Sequence, residues 1–179
     1  VRKTRWLDAD EQVIWRSFIA ATTLLLEQFD RELQREASMP MAYYEILFRL
    51  SESPERSLRM SELADRCRSS RSRLSHTIAK LEEVGWVRRE SCSSDRRGAF
   101  AVLTDEGFDA LRAAAPIHVQ SVRDLLFDQL SRPQLNQLHQ ISEQILDHLV
   151  AIDAIPHDAR GVLHEPSQSN NRRTMSHEG

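Results

Sequence analysis

From Leu7 to Glu36 the chain contains neither glycine nor proline, and Ile14, Phe18, Ala21, Leu25, Phe29 and Leu33 recur at steps of three and four. That spacing places them on one face of a helix with 3.6 residues per turn, so the segment is predicted as one long helix. Val13, Leu24 and Leu26 broaden the apolar stripe beyond what one neighbouring helix can cover, which points to a partner chain. A chain of 179 residues has room for one core-bearing domain with peripheral helices.

Ser38 and Pro40 open a second helix carrying Tyr43, Tyr44, Leu47 and Leu50 to a break at Ser51–Pro54. Two short helices are expected next, at Met60–Cys67 and Ser70–Val84, with Gly85 as a C-terminal cap. The period then changes. Trp86–Arg89 and Phe100–Leu103 read as strands of a hairpin around the polar, basic loop Ser91–Gly98. Thr104 is placed to cap a helix that carries Phe108, Leu111, Val119, Val122 and Leu126 inward, and Pro116 is expected to kink or split it. Ser131–Gln134 forms a capping-box pattern before a last helix with Leu138, Ile141, Ile145, Leu149 and Ile152 on one face. Beyond Pro156 the periodicity stops, and the Ser-, Asn- and His-rich tail is expected to be disordered.

The fold class expected is mainly α with a small β-hairpin wing: a winged helix-turn-helix flanked by long dimerisation helices. Its divisions are residues 1–39, a first dimerisation helix; 40–104, the winged unit; 105–155, the C-terminal dimerisation helices; and 156–179, the tail.

Charge is segregated along this frame. The formal total is −3, yet Arg66–Arg97 holds nine basic and four acidic residues, whereas Asp105–Glu165 holds four basic and ten acidic. A basic middle beside an acidic C-terminal half suits a protein that offers one surface to phosphates. No apolar run reaches membrane-spanning length, and the basic start Val1–Arg5 is not followed by a signal-like run, so a cytoplasmic location is expected. Cys67 and Cys92 match no metal spacing and read as free thiols. Nucleotide-binding glycine motifs, a nucleophile elbow and zinc-protease spacing are all missing, and His139, His148 and His157 lie too far apart for a local ligand cluster. No catalysis, metal or cofactor is expected.

Met60–Cys67, Arg68–Ser69 and Ser70–Val84 have helix-turn-helix proportions. Leu63, Ala64, Leu74, Ile78 and Leu81 supply the apolar contacts, leaving Arg71, Ser72, Arg73, Ser75, His76 and Lys80 mostly off that stripe. Ser70 can cap the second helix, whose first turn then offers N–H groups to phosphate and two guanidinium groups to guanine edges. Ser, His and Lys more often meet phosphate.

The segments Ser61–Ala64, Leu74, Ile78, Leu81–Arg89, Asp95–Arg97 and Val102–Gly107 resemble the MarR family of winged-helix regulators. The resemblance is specific from about residue 58 to residue 107 and follows element order alone over Asp8–Ile152. It implies a cytoplasmic, nucleoid-associated homodimer on a pseudo-palindromic double-stranded DNA operator, with recognition helix 70–84 in the major groove and wing 91–99 at the minor groove. In the wing, Asp95 would orient Arg97 into the minor groove and Arg96 would lie on a phosphate. Many members are repressors released by small aromatic ligands, and such an effector would lie between the dimerisation helices and the winged unit, where Trp15, Phe18, Tyr43, Tyr44 and His118 could line a cleft. Two departures stand out: Arg68–Ser69 replace a common glycine and apolar residue in the turn, and Trp86 replaces an aliphatic one. The competing class is a winged-helix protein-interaction module that never meets DNA.

Overall fold

In the computed structural model, which describes residues 3–91 and 99–152, helix α1 covers Ala9–Ala37. Its start is closed by a reciprocal cap. Asp8 Oδ1 accepts the Glu11 N–H at 2.8 Å, and Glu11 Oε2 accepts the Asp8 N–H at 2.9 Å, which satisfies two donors that a helix N-terminus leaves open. The helix stops at Ser38, left-handed at φ 52°, whose N–H reaches the Gln34 carbonyl. Asp30 Oδ1 then accepts the Met41 N–H at 2.8 Å, tying the start of α2 (Met41–Ser51) to the last turns of α1.

A 3-10 turn at Pro54–Arg56 leads into β1 (Ser57–Arg59), α3 (Met60–Arg66) and α4 (Arg71–Glu83). Leu63 and Ala64 from α3 and Leu74, Ile78 and Leu81 from α4 join Leu33, Leu47 and Leu50 in one buried cluster. The turn between α3 and α4 closes through Arg68 N–H to the Asp65 carbonyl (3.0 Å) and Ser69 N–H to the Ala64 carbonyl (2.9 Å). Arg68 there has φ 48°, a left-handed conformation that costs a side-chain-bearing residue about 1–2 kcal/mol and explains why glycine suits the position.

Strands β2 (Val87–Ser91) and β3 (Ala99–Leu103) form the expected hairpin, with Val87 opposite Leu103 and Ser91 opposite Ala99. The sheet also contains a strand the sequence reading did not foresee. β1 pairs with the other edge of β3, Leu58 opposite Ala101, giving the order β1-β3-β2. Three residues, Ser-Leu-Arg, carry too little alternation to announce a strand; burial of Leu58 on the core holds it there.

Helix α5 (Asp105–Leu125) starts at Thr104, whose hydroxyl accepts the Gly107 N–H at 3.0 Å and donates to the Gly85 carbonyl at 2.7 Å. A Cβ on Gly107 would stand 2.1 Å from the Trp86 carbonyl oxygen, so only glycine lets this turn of helix approach the chain at Trp86 so closely. Of the kink or split expected at Pro116, the split is not observed. α5 continues through it, because Leu111 and Ala114 on one side of the proline and Ser121 on the other are all buried, and Ser121 Oγ donates across to the Glu32 carboxylate of α1. Val119, expected inward, is 55% exposed. It follows His118 by one residue and therefore points about 100° away from the stripe that faces α1 and α2.

After a 3-10 turn at Phe127–Gln129, α6 covers Arg132–Ala151 and buries no residue fully. Ile141, Ile145 and Ile152 of its apolar row are exposed, as are Val13, Ile14, Trp15 and Phe18 in the first half of α1. The excess apolar stripe read from the sequence is therefore present on the folded chain. No described helix is long and apolar enough to cross a membrane. The wing segment 92–98 and the tail from residue 153 lie outside the described residues.

Candidate nucleic-acid interface

Helix α4 presents two faces with opposite chemistry. Leu74, Ile78 and Leu81, spaced four and three apart, are buried, while Arg71, Ser72, Arg73, His76 and Lys80 are exposed and Ser75 is half-buried. The Ser70 hydroxyl accepts the Arg73 N–H at 3.2 Å, capping the helix start as expected. Among the described residues, no ion pair engages Arg71 or Arg73, so two cationic forks stand at the positive end of the helix. Lys80 differs. Its ammonium pairs with Glu83 at 2.9 Å, and that bond raises its pKa; of the cations expected on this face it is the one already neutralised locally.

Sequence reasoning missed Arg89. Its guanidinium donates to the Ser75 carbonyl at 2.8 Å and pairs with Glu82 at 3.2 Å, and its main-chain N–H donates to the same carboxylate at 3.0 Å. The signal was available: Arg89 lies two residues after buried Val87, so strand alternation turns it toward the same side of the sheet as the core. There it reaches past the apolar contact to the edge of α4. Beside this junction lies an open cleft of about 330 Å³, lined by Arg59, Ser61, Arg71, Ser75 and Arg89. Arg59 holds its guanidinium 5.4 Å from the centre of the Phe100 ring.

Asp95, Arg96, Arg97 and Cys92 lie outside the described residues. Strand pairing up to Ser91 and from Ala99 brings the two ends of their segment side by side next to α4. Cys67 is packed against the core, and burial, reinforced by the Glu45 charge, pushes its thiol up to about 12, which suits an unreactive structural cysteine.

Of the five residues proposed for an effector cleft, the fold brings two together. The Tyr44 and His118 rings lie 4.7 Å apart, and Phe29, which the sequence reading did not include, meets His118 edge-on at 5.7 Å. Burial lowers the His118 pKa and raises that of Tyr44, and His118 Nδ1 is buried without a hydrogen-bond partner among the described residues. Tyr43 is half-buried nearby on α2. Trp15 and Phe18 are exposed on the first half of α1; Phe18 precedes Phe29 by roughly 16 Å of helix. Among the described residues no group of three or more His, Cys, Asp or Glu side chains could hold a metal ion.

Residues 37–98 match a model of the MarR family. The chain is similar to Sco3205, a MarR family transcriptional regulator from Streptomyces coelicolor whose crystal structure was solved in complex with DNA: 52% identity over 83% of this chain and 93% of that one, TM-score 0.78. It is also similar to AbsC, a MarR family transcriptional regulator from the same organism, at 44% identity over 83% and 99%, TM-score 0.76. Among curated proteins, the HTH-type transcriptional regulator PecS of Dickeya dadantii is 31% identical over 50% of this chain and 54% of its own length. The Escherichia coli transcriptional regulator HosA is 33% identical over 44% and 58%. The matched part thus spans little more than half the length of these curated relatives.

Proposed function

The chain belongs to the MarR family of transcriptional regulators, and on that premise we propose that it is a repressor that binds double-stranded DNA as a homodimer. The observation that carries this reading is the outward face of α4, where Arg71, Arg73 and His76 stand exposed on a helix anchored by Leu74, Ile78 and Leu81. A helix held that rigidly on one side and furnished with guanidinium forks on the other fits the major groove, where arginine pairs bidentately with guanine. Arg97 inserts into the minor groove with Asp95 orienting it, and Arg96 meets a phosphate.

The dimer is formed by α1 and α6. Their exposed rows, Val13, Ile14, Trp15 and Phe18 on one and Ile141, Ile145 and Ile152 on the other, are apolar area that a single copy leaves in water. A two-fold dimer presents two copies of α4, which calls for a pseudo-palindromic operator. A small aromatic effector binds against the Tyr44 and His118 rings, where α5 meets α1 and α2, and shifts the spacing of the two recognition helices. The protein-interaction alternative leaves the exposed arginines of α4 without a use.

The test is equilibrium binding of the full chain to the duplex upstream of its own gene and to a random duplex, each over a range of salt. Tight, strongly salt-dependent binding that prefers the upstream duplex supports the reading. Absence of any duplex binding overturns it in favour of a protein-interaction module.

A further inference from the structure

We propose that the hydrogen bond between Ser121 of α5 and Glu32 of α1 fixes the distance between the two recognition helices of the dimer, so that both residues position the protein for one spacing of DNA half-sites. This rests on the DNA-binding and dimer readings above and adds two residues that neither assigns. Ser121 is one of two polar residues buried among the described residues. A buried hydroxyl needs a partner, and this one finds it on the neighbouring helix, donating to the Glu32 carboxylate. The other carboxylate oxygen accepts from Gln28 Nε2 at 2.9 Å, and the Gln28 side-chain oxygen is held in turn by the Arg31 guanidinium at 2.8 and 3.0 Å. Each oxygen of Glu32 therefore has its own donor. Those bonds, the one from Ser121 first, hold the Glu32 pKa below its ordinary value, so the group stays an ionised acceptor.

The pair stands where the core ends. Phe29 is the first buried residue of α1 and Ser121 the last of α5, and α6 buries none. Leu33, Leu111 and Ala114 belong to the core that also anchors α4 through Leu74, Ile78 and Leu81, whereas the rows assigned to the partner chain are exposed. Asp30, two residues before Glu32, accepts the Met41 N–H at 2.8 Å, so this stretch of α1 is tied to α2 as well as to α5. Apolar burial is non-directional and does little to fix an angle between helices. An O–H···O bond weakens steeply with distance and angle, and so does fix it. Asp105, at the start of α5, lies about 24 Å of helix from Ser121, and a tilt of about 5° at the pair moves that end by about 2 Å. Two protomers double the shift to about 4 Å, more than the roughly 3.4 Å that separates neighbouring base pairs. A small change of angle at Ser121 and Glu32 is thus a change of half-site spacing.

The experiment compares the full-length wild type with Ser121→Ala, Glu32→Ala and Glu32→Gln. Each protein is titrated against the operator, the operator with one base pair inserted or removed between its half-sites, and a duplex carrying a single half-site, with melting temperature and light scattering recorded. Ser121→Ala is expected to lower the preference for the native spacing over the altered ones several-fold while leaving affinity for the single half-site unchanged. Glu32→Ala, at a half-buried position, removes the same bond from the α1 side and should do likewise, so the outcome does not hang on one variant folding. Glu32→Gln keeps an acceptor for the Ser121 hydroxyl and should retain most of the preference. The proposal is overturned if a folded, dimeric Ser121→Ala or Glu32→Ala protein keeps the wild-type spacing preference. It is equally overturned if either variant loses affinity for the single half-site as much as for the operator, since the bond would then only stabilise the winged unit. A wild type that binds no duplex, or that binds operator and single half-site equally well, would instead defeat the dimeric DNA-binding reading itself.

Discussion

Arg89 on β2, the first strand of the wing hairpin, donates to the main-chain carbonyl of Ser75, in the middle of α4, at 2.8 Å. The Glu82 carboxylate pairs with the guanidinium and accepts the main-chain N–H of Arg89, so strand β2 is tied to α4 at two points. On the proposed DNA-binding reading, that tie spares part of the freedom that docking two independently mobile parts would lose.

Glu82→Ala is expected to weaken operator binding several-fold. Counting charge alone predicts the reverse, since removing an acid near DNA should tighten binding to every duplex. The two accounts are separated by measuring operator and random duplexes at the same salt. Weaker operator binding with unchanged or tighter random binding supports the clasp, whereas equal tightening on both would show that Glu82 acts only as a charge.

The proposed dimer uses the apolar rows of α1 and α6 that the single chain leaves exposed. Ile145→Asp, at a position 44% exposed on the single chain, leaves the winged unit untouched but places a carboxylate where the partner should pack. Light scattering at micromolar concentration is expected to give a dimer for the wild type and a monomer or a steeply weakened dimer for the variant. A wild-type chain that is a stable folded monomer would contradict the assignment of those rows.

His118 sets a pH dependence. Burial lowers its pKa in the folded chain from the ordinary 6.5, and the Phe29 and Tyr44 rings that face it, the latter with its own pKa raised by burial, supply no negative charge. The unfolded chain thus holds the proton more tightly. The stability contributed by keeping this histidine neutral is full above about 6.5 and is lost as pH falls from there through the lower folded-state value. Denaturant unfolding between pH 7.5 and 5 should show a smaller loss for His118→Phe than for the wild type. Identical losses would show that this ring is not the group responsible.

The helix-turn-helix was legible because its signals are local: Ser70 before an apolar period, Gly85 after it, and Leu74, Ile78 and Leu81 on one face. The turn at Arg68 and the role of Gly107 were visible as residues but not as causes; φ 48° at one and a 2.1 Å approach at the other are facts of three-dimensional packing. Strand β1 was missed because its pairing partner, β3, lies more than forty residues away, at Val102 for Ser57, and three residues hold no readable period. The inward expectation for Val119 failed for a related reason. Periodicity shows which residues are apolar, while the neighbour that buries a stripe, here α1 and α2 against Leu111, Ala114 and Ser121, decides where its edge falls. Alternation with Val87 gives the side of the sheet on which Arg89 lies, but its contact with Ser75 depends on how β2 packs against α4, which local sequence does not carry.

On the proposed reading, Arg71 and Arg73 read bases from a helix fixed by its buried face. That reading is tested most directly by equilibrium binding of the wild type, Arg71→Ala and Arg73→Ala to the operator, to single-position operator variants and to a random duplex at one salt concentration. Each arginine that reads a base is expected to cost about 1–3 kcal/mol on the operator. Its loss should also erase the preference at one base-pair position while the random duplex is affected far less. Equal losses on operator and random DNA for both variants, with preference intact at every position, would show that the two arginines hold only the backbone and would contradict the account.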